Sequence, residues 1–193
     1  PWPDHPVDGI QAATHALYEN DGKGHFKNVT QIAGLAVSDY GMGVAAGDYD
    51  NDGWLDIYIT AVHRNRLFRN KGDGTFVDVT QSAGVAGGDH AWSTCAAWSD
   101  FDNDGDLDLF VGNYVQWSPE IDFEQGATLT GIGRAYGQPM NFQGTFPSLY
   151  RNEGNGRFTD ISESSGIQVR NPSTDGPVAK SLGVAPVDLD ADG

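Results

Sequence analysis

Asp48-Tyr-Asp-Asn-Asp-Gly-Trp-Leu-Asp56 returns 52 residues later as Asp100-Phe-Asp-Asn-Asp-Gly-Asp-Leu-Asp108, and the reading of this pair decides the fold. Each stretch puts carboxylates at positions 1, 3, 5 and 9 of a loop. Gly53 or Gly105 stands at position 6, where a chain folding back on itself needs a residue that tolerates positive φ. Acidic groups this close repel one another strongly unless a cation lies among them. A hard, oxygen-seeking ion suits the donor set, and Ca²⁺ suits it better than Mg²⁺ because it accepts about six to eight oxygens in flexible geometry. Asp48, Asp50, Asp52 and Asp56 are therefore expected as side-chain ligands of one ion, with the Trp54 carbonyl adding a backbone oxygen. A second site is expected from Asp100, Asp102, Asp104 and Asp108 with the Asp106 carbonyl. An acidic surface turn without an ion would account for one such loop, but two complete copies in equivalent settings weaken that reading.

The loops begin like EF-hands and do not end like them. An EF-hand closes with a bidentate Glu at about position 12 between two helices, whereas position 12 here is Ile59 in one copy and Val111 in the other. Leu55-Asp-Ile-Tyr-Ile-Thr60 and Leu107-Asp-Leu-Phe-Val-Gly112 alternate apolar residues at period two, which predicts strands. The unit is strand, calcium loop, strand.

A second motif recurs around the first. Leu17-Tyr-Glu-Asn-Asp-Gly-Lys-Gly-His-Phe26 reappears from Leu67 to Phe76 and from Leu149 to Phe158, each a short strand, a turn with two fixed glycines and another strand. Similar tails follow: Val29-Thr30, Val79-Thr80 and Ile161-Ser162, then Ala33-Gly34, Ala83-Gly84 and Ser165-Gly166. Hairpins 50 residues apart (Leu17 to Leu67) and loops 52 apart indicate a repeat architecture of about four strands per unit. Small residues, Gly43-Val-Ala45, Cys95-Ala-Ala97 and Gly183-Val-Ala185, fall in register before each loop. They suit an innermost strand, where blades converge and room is scarce. Cys95 there reads as a structural thiol rather than a nucleophile.

Val44 to Tyr58, followed by Asn65 to Thr80, resembles the FG-GAP or VCBS-type repeat of integrin α-like β-propellers, nearest to the cartilage acidic protein group and its bacterial relatives that carry an ASPIC/UnbV domain. The resemblance covers about residues 16–193. It implies an all-β fold, a seven-bladed propeller of four-stranded blades with calcium in the loop joining the first two strands of a blade. It also implies a secreted, periplasmic or cell-surface location. On that frame the chain divides into a linker or loop at 1–15, the last two strands of a partial blade at 16–30, and complete blades at 40–81 and 91–162. A further blade starts at 181–193. Its loop, Asp188-Leu-Asp-Ala-Asp-Gly193, offers Asp188, Asp190 and Asp192 without a position-9 carboxylate, so the sequence reads as part of a longer propeller whose remaining blades are its first partners.

The period breaks once. From Asp100 to Asp188 the spacing is 88 residues, and the excess falls mainly in an insertion at 113–146, which strand alternation is expected to put on the face opposite the calcium turns. It brings Tyr114, Trp117, Phe123, Tyr136 and Phe142, aromatic residues suited to a protein epitope or to stacking on sugar rings. A flap that packs over neighbouring blades explains them equally well.

Composition bounds the function. The net charge of −16 and pI near 4.3 argue against nucleic acid or an anionic membrane as partner, and two Ca²⁺ ions would bring the charge only to −12. No apolar run approaches the ~18 residues of a membrane span. The single cysteine excludes an internal disulfide. No nucleophile elbow, phosphate-binding glycine loop or His-Glu-x-x-His is present, and Arg64, Arg66 and Arg134 read as surface pairs. The expected function is a calcium-stabilised extracellular module that binds protein or carbohydrate. The alternatives are a calcium-dependent polysaccharide lyase or hydrolase and a structural spacer.

Overall fold

A computed structural model describes residues 14–135 and 137–187. Asp188, Asp190, Asp192 and Tyr136 lie outside the described residues. The described residues begin with a hairpin, β1 (Tyr18–Asn20) with β2 (Phe26–Asn28), and continue into an antiparallel sheet of β3 (Gly41–Gly47), β4 (Asp56–Ala61), β5 (Arg66–Asn70) and β6 (Phe76–Asp78). One helical turn, α1 (Thr80–Ala83), leads to a second four-stranded sheet. Its strands are β7 (Ala91–Ser99), β8 (Asp108–Gln116), β11 (Ser148–Asn152) and β12 (Phe158–Asp160), each paired with the next. The fold is all-β, built of four-stranded antiparallel units.

The repeated tails have a local cause. The hydroxyl of Thr30, Thr80 or Ser162 accepts from the N–H of Leu17, Leu67 or Leu149 at 2.8–2.9 Å, satisfying the first amide of each hairpin. The same three hydroxyls donate to the Oδ1 of Asn28, Asp78 and Asp160. The Gly that follows each tail ends the turn in the left-handed region, as Gly84 does behind α1 (φ 82°).

Small side chains let the units approach. A Cβ at Gly43 would lie 2.6 Å from the Thr94 carbonyl oxygen, and one at Gly47 would lie 2.7 Å from Trp98 Cδ1, so β3 can approach β7 closely only where it lacks side chains. Cys95 is half-buried, and a Cβ on Gly112 would come within 2.5 Å of its Sγ. Between the sheets a core forms from Tyr49, Tyr58, Leu67, Val85, Leu109, Val111, Tyr150 and Phe158. The Tyr58 hydroxyl, fully buried, donates to the Val85 carbonyl at 2.8 Å. A separate cluster of Ala33, Leu35, Ile59 and Phe68 packs the first hairpin's tail against the first sheet.

The aligned small residues Gly183-Val-Ala185 behave differently from their counterparts. Residues 181–187 carry no strand, and Ser181 is held by its N–H to the Asn113 carbonyl at 2.9 Å and by the Thr94 hydroxyl donating to its carbonyl at 2.8 Å.

The insertion leaves β8 at the end remote from the acidic loop. β8 itself runs to Gln116, so the first four residues assigned to the insertion belong to the ladder. Beyond it come α2 (Pro119–Gln125), capped by the Ser118 hydroxyl, the two-residue strands β9 (Thr128–Leu129) and β10 (Gly133–Arg134), and a 3₁₀ turn at Pro139–Asn141. Trp117 and Phe142 turn inward and form a third cluster with Val62 and Val115. As a recognition surface these two rings are corrected by their burial: they seal the insertion onto the sheet. Tyr114 is half-buried against Trp92 in an edge-on contact. Phe123 stays exposed beneath the Arg134 guanidinium, 3.7 Å from the ring centroid. No helix among the described residues is long and apolar enough to cross a membrane.

Candidate metal centre

Each acidic loop connects the first two strands of its sheet, with Gly47 facing Asp56 and Ser99 facing Asp108 at the open end of the ladder. Strand pairing therefore fixes positions 1 and 9 beside each other, and the loop has only to bring position 3 back over them. Asn51 and Asn103 do this with φ of 56° and 57°, followed by Gly53 and Gly105 at 89° and 94°. Asn tolerates the left-handed region better than most side chains, and Gly occupies it without strain.

The result is two clusters. Asp48, Asp50 and Asp56 each present a carboxylate oxygen, all within 4.8 Å of one another, and Asp100, Asp102 and Asp108 do the same. Asp48 also shapes its loop, accepting from the N–H groups of Asp52 at 3.0 Å and Gly53 at 2.8 Å. Asp100 repeats both bonds at 3.1 and 2.9 Å. Asp52 and Asp104 stand outside the clusters. Their Oδ1 atoms close a turn by accepting at 2.9 Å from Trp54 N–H and Asp106 N–H, and those same two residues were expected to lend carbonyls.

Position 9 is the anchor. Asp56 is fully buried and takes backbone N–H groups from Tyr49 at 3.2 Å and Asn70 at 2.8 Å. Asp108 takes those of Phe101 at 3.2 Å and Asn152 at 2.7 Å. Burial nonetheless pushes Asp56 up to about 6, and burial likewise raises Asp108. Asp50 is raised by burial and then by the charge of Asp52. Its Oδ1 is buried with no hydrogen-bond partner, and Arg69 stands 3.8 Å from its Oδ2. An orphaned buried carboxylate oxygen aimed among like charges is costly. A divalent cation would remove that cost, so the residues fit a metal.

Sequence reasoning missed the residues that hold the anchors. Asn70 and Asn152 donate their amides to Leu55 and Leu107 carbonyls at 3.0 and 3.1 Å, and accept from Gly72 and Gly154 N–H groups. The signal was visible as the fourth residue of every repeated hairpin, Asn20, Asn70 and Asn152, which reads from sequence only as part of a turn. Basic side chains away from the clusters form other arrangements. His63 and His90 meet with ring centroids 6.2 Å apart, both at positive φ. Arg66 bridges Asp39 and Asp78, and Arg134 pairs with Asp122 at 2.6 Å.

No curated protein matches the chain. The model of the FG-GAP-like repeat matches it twice in tandem, over residues 11–59 and 56–111. Each match reaches into one strand, acidic loop and strand unit. With the repeated hairpins and paired clusters already described, these matches place the chain in the FG-GAP-like repeat family.

Proposed function

We propose that this chain is a calcium-stabilised propeller-type module that binds a protein or carbohydrate outside the cytoplasm, without catalytic chemistry of its own. The observation that carries the reading is the pair of equivalent three-carboxylate clusters, each with a buried position-9 aspartate whose ionised form is disfavoured unless a cation is nearby. Asp48, Asp50 and Asp56 would hold one Ca²⁺, and Asp100, Asp102 and Asp108 a second. Asp52 and Asp104, which stand outside the clusters, and the carbonyls of Trp54 and Asp106 would be the nearby sources of further oxygens. The ion's contribution is structural: it neutralises the loop and ties its turn to the sheet beneath.

Recognition falls to the opposite face. The exposed part of the insertion, Phe123 with Arg134 over its ring, offers an aromatic and a cation side by side, a combination suited to a polar ligand with an apolar side. Titrating CaCl₂ into the chelator-treated chain tests the metal directly. The expected result is saturable binding of two ions, with binding at one loop lost in Asp50→Ala and at the other in Asp102→Ala. Binding that survives both substitutions together would defeat the assignment. For the ligand, Phe123→Ala should weaken capture on a glycan or extracellular-protein array while leaving the calcium-dependent melt unchanged.

A further inference from the structure

The two acidic loops are in direct contact. Asn51, exposed at position 4 of loop one, sends its amide across to loop two, donating to Asp106 Oδ1 at 2.7 Å and to the Gly105 carbonyl at 3.3 Å. A second link runs beneath it through Asn152, which is buried. Its backbone N–H donates to Asp108 Oδ1 at 2.7 Å, while its Nδ2 is shared between the Leu107 carbonyl and, at 2.8 Å, the Tyr49 carbonyl of loop one. Tyr49 lies between Asp48 and Asp50, and its own N–H donates to Asp56. One asparagine thus holds an anchor of the second cluster and the backbone that joins two members of the first.

We propose that the two metal sites are coupled, Asn51 and Asn152 acting as positioning residues through which Ca²⁺ in one loop raises the affinity of the other. This rests on the calcium reading above. Filling one loop fixes its backbone, and with it the Tyr49 carbonyl or the Asp106 carboxylate to which the other loop is bonded. The second loop then has less freedom to lose when its own ion binds. Coupling is reciprocal, so each site raises the other by the same factor. Long-range electrostatics works the other way, since the first cation reduces the negative charge that attracts the second. Salt screens that opposing effect beyond about 8 Å at physiological ionic strength, while hydrogen-bonded coupling persists. Cooperativity should therefore strengthen as salt is raised.

Calorimetric titration of the 193-residue chain with CaCl₂ in 0.15 M salt tests this. Asp102→Ala gives the affinity of loop one alone and Asp50→Ala that of loop two alone. The product of the two stepwise association constants in the unsubstituted chain should exceed the product of these single-site constants by ~5-fold or more. Asp48→Asn and Asp100→Asn repeat the cycle with a gentler change, because asparagine keeps an oxygen able to accept the loop amides. Asn51→Gly removes the bridging amide while tolerating the positive φ, and should cut the excess. Equal products, within twofold, with both single sites binding would overturn the coupling and leave the calcium reading standing. Absence of binding in every form would overturn the calcium reading instead.

Discussion

Loop one and loop two share five of the same acids or glycines in the same order, yet their seventh residues do different jobs. Trp54 lays its indole over the turn of its own hairpin, where a Cβ on Gly72 would come within 2.7 Å of Nε1. Asp106 lies against the equivalent turn at Gly154 and also takes the Asn51 amide from the first loop. Positions 1, 3 and 9 are fixed by the cluster, and position 6 by its backbone angle. Position 7 belongs to neither cluster, so its side chain is free to pack in one copy and to cross-link in the other. Repetition therefore constrains the oxygens and the turns, and leaves neighbouring side chains available for contacts between repeats.

The largest expected effect tests what the loops have in common. If both bind Ca²⁺ only when folded, free calcium at one hundred times the Kd adds ~2.7 kcal/mol per site, or ~5 kcal/mol for the pair. For a chain of this size that is a rise in Tm of roughly 10 to 20 °C over the value in EDTA. A melt indifferent to chelation would break the equivalence of the loops with metal sites.

The next effect is a pH dependence in EDTA. Asp56 moves from 3.8 in the unfolded chain to about 6 in the fold because burial penalises its charge. The folded state therefore keeps this proton when the unfolded state has released it. The stability it contributes is complete below about 3.8 and is lost as pH rises through 6, by an amount of the order of 3 kcal/mol. Urea melts from pH 4 to 7 should show Asp56→Asn removing this residue's share of that slope, and Asp108→Asn should act with the same sign in loop two. A slope unchanged by Asp56→Asn would show that its carboxylate does not carry the raised pKa.

Smaller effects separate the two copies. Gly72→Ala and Gly154→Ala each place a side chain at positive φ, 74° and 66°, and should each cost about 1 kcal/mol by denaturant melts. Both would also press on the position-7 side chain. A much larger loss at Gly154 would show that Asp106, linked to Asn51, yields less easily than Trp54. Smallest of all, Trp54→Ala and Asp106→Ala should change stability by about 0.5 kcal/mol in EDTA. Only Asp106→Ala should alter the linkage between the sites, read from the same calcium titration.

Much of this was legible in the chain. Alternation at period two gave the strands after each loop, the fixed glycines gave the hairpins, and the small residues of β3 marked where a neighbouring strand comes close, as Gly43 against Thr94 shows. The acidic spacing named four acids per loop, and three of each meet in a cluster, because strand pairing sets position 9 opposite the residue just before position 1; Asp52 and Asp104 stand outside. Asn70 and Asn152 were visible as a repeated letter without a role. Their bonds reach 14 and 44 residues back to Asp56 and Asp108, distances that no local pattern encodes.

The sequence by itself determined the repeating unit and its ion-seeking oxygens, because turn chemistry, strand alternation and like-charge crowding are local properties. Tertiary structure alone decided which rings of the insertion face solvent. Trp117 and Phe142 are buried by Val62 and Val115, whereas Phe123 remains outside under Arg134. It also decided that the two loops touch, through Asn51 and through the Asn152 bond to Tyr49 across 103 residues. An aromatic residue gains from burial or from a ligand by the same physics, and an asparagine bonds whichever carbonyl is nearest. Only the packing of one repeat against the next supplies the partner.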